Sequence, residues 1–237
     1  MFEPAHKSLP PVDYVSMIRS LYADRRVMML GALSSALVAS VAGIESNSWV
    51  LLAIAIGFAL VGIARDIDMR AFERNKIADD DVPTAVRWEF RSTVGAAAIA
   101  ILYAVWMAYS FLVVNTAFAE MSSLSVTVSV LVGVAGRNFA IDRLVTSQVA
   151  MMSVGMAMGM LFDGALHTAM LSIVLIAFVI SLRKVSANIR AILLRAVHGR
   201  IEATRLASEL DTALETMQHG LCMLDENGLI AVANDRA

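Results

Sequence analysis

The sequence predicts an all-α membrane protein with six transmembrane helices. Three observations lead to this fold class: six long apolar runs, a composition that is 58% hydrophobic and only 17% charged, and a one-sided distribution of the nineteen Lys and Arg residues. Soluble domains carry roughly 25% charged residues. A helix rises 1.5 Å per residue, so about 20 residues cross a hydrocarbon core of roughly 30 Å. The predicted spans are residues 27–44, 49–64, 93–114, 121–135, 144–162 and 165–182.

The positions of the basic residues predict the topology. The connections 45–48, 115–120 and 163–164 contain no Lys or Arg, and the remaining segments hold all nineteen. Because positive charge resists translocation, the basic side is predicted to be cytoplasmic. Both termini are then cytoplasmic in an inner membrane, and residues 1–26 form a cytoplasmic N-terminal segment ahead of a membrane domain at 27–182. The single cysteine, Cys222, provides no disulfide framework.

The fourth span has a sequence that is also compatible with a strand. Residues 123–134 (SLSVTVSVLVGV) alternate hydroxyl and apolar side chains, as a strand would. A lone strand in lipid leaves its backbone unpaired, so a helix with Ser and Thr hydroxyls bonded back to the backbone is predicted.

The long connection between the second and third spans is predicted to hold an amphipathic helix at 66–77 and a second short helix capped by the acidic run 79–81.

After the sixth span the apolar residues follow a heptad seam. The spacing alternates three and four residues over 183–217, with charged residues between, which predicts a signalling helix that forms a coiled coil. A parallel homodimer is the simplest arrangement for two identical chains in one membrane, and an antiparallel return within one chain is the alternative. The seam residues expected to carry the dimer are Val185, Ile189, Ile192, Leu206 and Leu210.

Residues 218–237 show a third pattern. Two short strand-like runs, 220–225 and 229–233, are joined by Glu226, Asn227 and Gly228, and Asn-Gly is a strong hairpin signal. A lone two-stranded hairpin is marginal in water. The segment is therefore expected to be the beginning of a larger domain.

Residues 210–237 (LDTALETMQHGLCMLDENGLIAVANDRA) resemble the start of a PAS domain. Residues 133–148 (GVAGRNFAIDRLVTSQ) and 21–28 (LYADRRVM) are similar to the membrane sensor region of alphaproteobacterial proteins that continue through PAS into GGDEF and EAL domains. Those output domains make and break cyclic di-GMP. The resemblance implies a truncated PAS hairpin and a sensory and dimerisation module in a bacterial inner membrane. No GGDEF or EAL motif is present, so no catalytic residue and no cofactor are expected in this chain.

Two small groups of residues are candidate sites. Asp163 and His167, four residues apart, could share a metal ion or sense pH, although interfacial solvation alone also explains them. The turn after the fourth span carries Arg137, Asn138, Asp142 and Arg143. It could couple the spans to the signalling helix, or it could simply anchor the basic side with a local ion pair.

Other features narrow the function class. Gly155 and Gly159 form a G-x-x-x-G motif that permits close helix approach, within or between subunits. No predicted span carries a charge at its centre, which disfavours a small transporter. The input region of a membrane histidine kinase remains an alternative to a cyclic di-GMP protein. The expected partners are the lipid bilayer, a second copy of the chain and an unidentified signal, and nucleic acid is not among them.

Overall fold

The computed structural model describes residues 10–75, 77–138, 141–216, 222–224 and 230–233. Within these residues the chain is almost entirely helical, and six helical segments are long and apolar enough to cross a membrane. This confirms the prediction of six long apolar helices. The helices are α1 (Pro11–Leu21), α2 (Arg25–Glu45), α3 (Trp49–Arg74), α4 (Val82–Tyr109, extended by a π-helical turn at Ser110–Val114), α5 (Ala117–Arg137), α6 (Asp142–Phe162) and α7 (Leu166–Thr216).

The packing of α2 is inverted relative to a helix of a soluble protein. Its buried face consists of small residues and its exposed face of large apolar ones. Helices in lipid gain little by burying leucine, and small residues let their backbones approach closely. The buried set is Ala32, Ser35, Ala36, Ala39, Ala42 and Gly43, and the exposed set is Val27, Leu30, Leu33, Leu37, Val41 and Ile44. This distribution fits a helix whose outer face meets hydrocarbon.

The fourth span is a helix, as predicted, and the structure shows that the helix is regular. Residues 117–137 form α5 without interruption. The Ser129 hydroxyl donates to the Ser125 carbonyl at 2.8 Å, and the Ser123 hydroxyl donates to the Glu120 carbonyl at 3.0 Å. These bonds satisfy the Ser123 and Ser129 hydroxyls inside the helix, whereas the buried Thr127 hydroxyl has no hydrogen-bond partner among the described residues. Because the helix pairs its own backbone groups, the alternating sequence needs no partner strand.

The prediction of two separate short helices between the second and third spans is wrong. Helix α3 continues unbroken to Arg74, and α4 begins at Val82 and continues directly into the third span. No Gly or Pro interrupts 64–74, and Asp66 pairs with Arg70 one turn later at 2.7 Å. The Asp81 side chain does cap a helix, accepting from the Thr84 amide at 3.1 Å, but that helix is α4 itself.

Helix α1 is an element that the sequence reasoning did not predict. Its buried face, Tyr14, Val15, Ile18 and Leu21, packs against Met69, Phe72 and Trp88 of α3 and α4. The Arg19 guanidinium pairs with Asp79 at 2.6 Å. The spacing of the four buried residues matches one helical face. The helix therefore covers the connection between α3 and α4.

The centre of the helix bundle is filled by aromatic side chains. Phe58 of α3 lies 4.7 Å from Tyr103 and 5.6 Å from Trp106 of α4, measured between ring centroids. All three are buried. Leu51 and Leu131 join this cluster from α3 and α5.

The chain divides into two compact units, Met1–Ala187 and Asn188–Ala237. The second unit contains the strands β1 (Cys222–Leu224) and β2 (Ile230–Ala233), which pair antiparallel with Cys222 opposite Ala233. The predicted Glu226–Gly228 connection lies outside the described residues. Strands of three and four residues do not identify a fold, so the PAS assignment stays a prediction.

Candidate functional site

One end of the helix bundle gathers most of the basic residues of the first unit. Arg25 of α2 pairs with Asp66 of α3 at 3.1 Å, and the Arg65 guanidinium reaches the Ser92 hydroxyl of α4 at 3.5 Å. These contacts bring together the beginnings of α2 and α4 and the last turns of α3. We call this region, with the α5–α6 turn that joins it below, the basic end of the bundle.

A cavity of about 820 Å³ extends from the basic end into the bundle. Helices α2 to α6 all contribute to its wall, together with the residues that precede α2. Its polar and charged lining residues are Ser20, Asp24, Ser34, Ser35, Arg65, Ser92, Tyr103, Ser125, Ser129, Arg137, Asn138 and Gln148. Its larger apolar lining residues are Val27, Met28, Ile99, Val126, Val130 and Val134. The size lies within the range of small-molecule sites.

Arg65 enters the cavity wall beside a glycine. A Cβ atom added at Gly95 would lie 2.3 Å from Cδ of Arg65, so the absence of a side chain at Gly95 makes room for the arginine. Arg65 Nη1 lies 3.8 Å from Asp68, too far for a hydrogen bond, and this buried nitrogen has no hydrogen-bond partner among the described residues. Asp68 is held more tightly by Arg91, at 2.6 Å.

A chain of amide hydrogen bonds forms another part of the cavity wall. Arg137 Nε donates to Asn138 Oδ1 at 3.4 Å, and Asn138 Nδ2 donates to Gln148 Oε1 at 2.8 Å. Gln148 Nε2 in turn donates to the Ala96 carbonyl at 3.3 Å. Asn138 and Gln148 are buried. The chain therefore ties α5 and α6 to α4 at the basic end.

Arg137 lies within electrostatic range of two other lining groups, Arg65 and Asp24. Two arginines and one aspartate are the charged residues of the cavity wall, which gives it an excess of one positive charge. In the described part of the chain Arg137 forms no ion pair within 4.0 Å. The basic end thus holds two arginines that the protein itself neutralises only weakly.

The residues predicted to couple the spans to the signalling helix occupy different environments. Arg137 and Asn138 belong to the cavity wall. Asp142 pairs with Arg183 of α7 at 3.2 Å, which joins the beginning of α6 to α7. Arg143 is exposed. The Asp142–Arg183 pair provides a contact through which coupling could act, and the coupling role itself stays a prediction.

The predicted dimer seam is uncovered in the single chain. Val185, Ile189, Ile192, Leu206 and Leu210 of α7 expose between 37% and 65% of their surface. Large apolar side chains recurring at heptad positions are normally covered by a partner helix.

Asp163 and His167 lie at the opposite end of the bundle. The Asp163 carboxylate accepts hydrogen bonds from Asn115 and Thr168, each at 3.1 Å. Both Asp163 and His167 act electrostatically on Glu120. Among the described residues no group of three or more His, Cys, Asp or Glu side chains is placed to hold a metal ion. The hydrogen bonds give Asp163 a structural role in joining this end of the bundle.

The G-x-x-x-G motif acts within the subunit. A Cβ atom at Gly155 would lie 2.3 Å from the Ala104 Cα atom and 2.5 Å from its carbonyl oxygen. A Cβ at Gly159 would lie 3.2 Å from the Met107 carbonyl. Helices α4 and α6 therefore approach closely enough to exclude any side chain at Gly155.

The cavity was not predicted from the sequence. The predicted second span ended at residue 64, which placed Arg65 in a solvated connection. One signal could have revealed the cavity: Gln148 lies inside a predicted span, and polar residues within membrane helices commonly face the bundle interior.

Comparison with family models, with curated proteins and with solved structures gives no match to this chain.

Proposed function

We propose that this chain is a membrane-embedded sensory and dimerisation module of a bacterial signal-transduction protein. The observation that carries the proposal is the exposed heptad seam of α7. The helix begins with a segment apolar enough to cross a membrane and continues far beyond the length needed to cross a bilayer. A helix of 51 residues with such a seam is typical of a dimeric connector rather than of a bundle helix.

The exposure of the seam favours a partner from another chain. An antiparallel return within one subunit would cover Ile192, Leu206 and Leu210, yet these side chains are more than half exposed. Two identical chains in one membrane share direction and register. A parallel homodimer along 183–217 is therefore our preferred assembly.

The output that we propose rests on the resemblance described above. The PAS-like segment and the membrane motif favour a protein whose further domains act on cyclic di-GMP. A histidine kinase would use the same membrane region and connector with a different output. The sequence of any further domains would distinguish a cyclic di-GMP output from a histidine kinase output.

The orientation is also a proposal. We infer that the basic end faces the cytoplasm of an inner membrane, because Lys and Arg resist translocation. Reporter fusions at Asn47, Ala117 and Gly164 should then give a periplasmic signal, and fusions at Asp142 and Ala203 a cytoplasmic one. A periplasmic signal at Asp142 would contradict this orientation.

The assembly is tested by disulfide cross-linking in membranes. In a Cys222→Ser background, cysteine introduced at Ile192, Leu206 or Leu210 is expected to cross-link two subunits on mild oxidation. The matched controls are Arg190→Cys and Arg205→Cys, which lie off the seam on the same helix. Equal cross-linking at all five positions would show that no fixed parallel coiled coil exists.

A small transporter is the second candidate, and the cavity is the observation that favours it. However, the lining of the cavity includes no residue of α4 beyond Tyr103 and none of α5 before Ser125. The aromatic cluster of Phe58 and Trp106 fills the neighbouring interior. Ser125 and Ser129 of its lining are exposed, and Val27 lies on the outer face of α2, so the cavity also opens along the side of the bundle. A cavity of this form suits reception of a ligand better than its passage between the two ends of the bundle.

A further inference from the structure

We propose that the cavity at the basic end binds an anionic amphiphile, a molecule with a phosphate or carboxylate head and an alkyl tail. The head would lie between Arg65 and Arg137, and the tail would extend along α4 and α5 into the bundle. The inference rests on the charge, the shape and the lining of the cavity.

The charge of the wall favours an anion. Other arginines of the bundle are neutralised by close carboxylates: Arg25 and Arg70 by Asp66, and Arg91 by Asp68, at distances between 2.6 and 3.1 Å. The two cavity arginines have no such partner within 3.5 Å. Burying cationic groups without close partners is costly, and a bound anion removes that cost.

The hydrogen-bond donors point to an oxyanion. Arg65 Nη1 is buried by protein, so Arg65 contributes its charge to the cavity rather than this donor. Arg137 uses its Nε in one long bond of 3.4 Å to Asn138. Guanidinium groups bind phosphate and carboxylate oxygens in a two-pronged geometry. Arg137 thus offers donors suited to a head group with several oxygens, and Arg65 adds a second positive charge beside them.

The shape of the cavity calls for a tail. Along α4 the lining runs from Ser92 to Tyr103, and along α5 from Arg137 to Ser125. At 1.5 Å per residue these segments span roughly 16–18 Å, far longer than a phosphate group. All three charged lining residues, Asp24, Arg65 and Arg137, belong to the basic end.

The lining beyond the arginines accepts an alkyl chain. Ile99, Val126 and Val130 face this part of the cavity. Two of the serine hydroxyls there are already bonded within their own helices: Ser35 donates to the Gly31 carbonyl at 2.8 Å and Ser129 to that of Ser125 at 2.8 Å. Satisfied hydroxyls make little further demand on a ligand.

The position of the site suits an input for the α7 connector, a role that rests on the proposed function. Asn138 lies in the cavity wall, and Asp142, four residues later, pairs with Arg183 of α7. A head group that drew Arg137 away from Asn138 would act on the turn that holds this pair. Binding of the probe and cross-linking of the seam are measured separately, so that failure of the site and failure of the proposed function can be distinguished.

The test uses the full chain in nanodiscs of phosphatidylcholine, with dodecyl phosphate as the probe. Native mass spectrometry would count bound molecules and give the affinity by titration. One saturable copy per chain is expected. Arg65→Gln and Arg137→Gln should each weaken binding about tenfold or more, because each removes a charge-assisted contact. Arg26→Gln is the matched control, an exposed arginine of α2 that does not line the cavity.

Further variants keep the test decisive if an arginine variant fails to fold. Arg137→Lys retains the charge and should retain part of the affinity. Gly133→Leu should block binding of the tail while leaving both arginines in place, since no atom lies within 4 Å of a Cβ atom added at this lining residue.

The comparison ligands decide the chemistry. Inorganic phosphate tests the anion without the tail, and dodecanol tests the tail without the charge. The proposal is overturned if either comparison ligand binds as tightly as dodecyl phosphate. It is also overturned if dodecyl phosphate cannot displace phosphatidylcholine from the cavity, or if both Arg→Gln variants bind dodecyl phosphate with the affinity of the wild type. A dimer that binds dodecyl phosphate without any change in seam cross-linking would support the site and contradict its role as an input.

Discussion

Glycine has opposite uses on the two sides of α4. On the side of α6, Gly155 leaves room for the Ala104 backbone, and any side chain at Gly155 would overlap it. On the cavity side, Gly31, Gly133 and Gly136 have no atom within 4 Å of the position of an added Cβ. The missing side chain brings two helices into contact in one region and contributes open volume in the other.

This difference separates a fixed wall from an adaptable one. The α4–α6 contact is close-packed, and its neighbours Met107, Met156 and Met160 are buried. Close-packed contacts have no room to rearrange in small steps. The α2 and α5 walls of the cavity have such room, so a change of shape on binding would be confined to them.

The strongest way to break the fixed wall is Gly155→Leu. The new side chain would overlap Ala104, and the helices would have to separate, at a cost of about 3 kcal/mol or more. Gly31→Leu places the same side chain in open volume and should change stability little. Thermal unfolding of both variants in the same detergent checks the expectation, and equal losses would remove the distinction between the two walls.

The next largest effect is expected at the boundary between the two regions. Gln148→Leu removes the acceptor of Asn138 and the donor to the Ala96 carbonyl, leaving buried polar groups unpaired. The expected loss of stability is about 1–3 kcal/mol. Ser147→Ala is the control, since that hydroxyl bonds only to its own helix. If unfolding midpoints were equal for the two variants, the amide chain would contribute nothing.

Gly95→Ala sharpens the comparison from the cavity side. The added Cβ would displace the Arg65 side chain, a shift of about 1 kcal/mol that the better helix propensity of alanine offsets. Stability should therefore stay nearly constant while dodecyl phosphate binding weakens several-fold. Gly199→Ala adds the same atom in open space, at a residue that does not line the cavity, and should leave binding unchanged. Loss of binding in both variants would argue against positioning of Arg65 by Gly95.

The smallest effect concerns the cap of α4. The hydrogen bonds from Thr84 lower the pKa of Asp81 below its ordinary value of 3.8. A carboxylate with a lowered pKa in the folded state contributes stability above its unfolded pKa, and that contribution is lost as the pH falls through the folded pKa. Asp81→Ala should therefore be slightly less stable than the wild type at pH 7, with the difference shrinking toward pH 3. A difference that stays constant from pH 7 to pH 3 would mean that ionisation of Asp81 is irrelevant.

Hydropathy and charge predicted the parts of the fold that depend on one helix at a time. The spans follow from local composition, and so does the helical state of residues 117–137, where backbone satisfaction in lipid decides between helix and strand. Hydropathy ends the second predicted span at residue 64, whereas the charged residues beyond it continue the same helix, since Asp66 and Arg70 pair four residues apart.

The site depends on several helices at once, which explains why the sequence did not predict it. Arg65, Gly95, Arg137 and Gln148 are far apart in the chain and meet only through the order in which the helices pack. In the sequence, a glycine that faces the backbone of another helix cannot be distinguished from a glycine that faces a cavity. Only the structure therefore distinguishes the role of Gly155 from that of Gly133.

The docking of α1 has a consequence for the order in which the protein is assembled. Tyr14 hydrogen-bonds to Glu89, which lies 75 residues later in the chain. At about 5–20 residues per second, synthesis of that partner follows by roughly 4 to 15 seconds. During this interval the apolar face of α1 lacks Trp88, one of the residues that cover it. Helix α1 can therefore complete its docking only after the beginning of α4 has been made, with the whole of α2 and α3 lying between them in the chain.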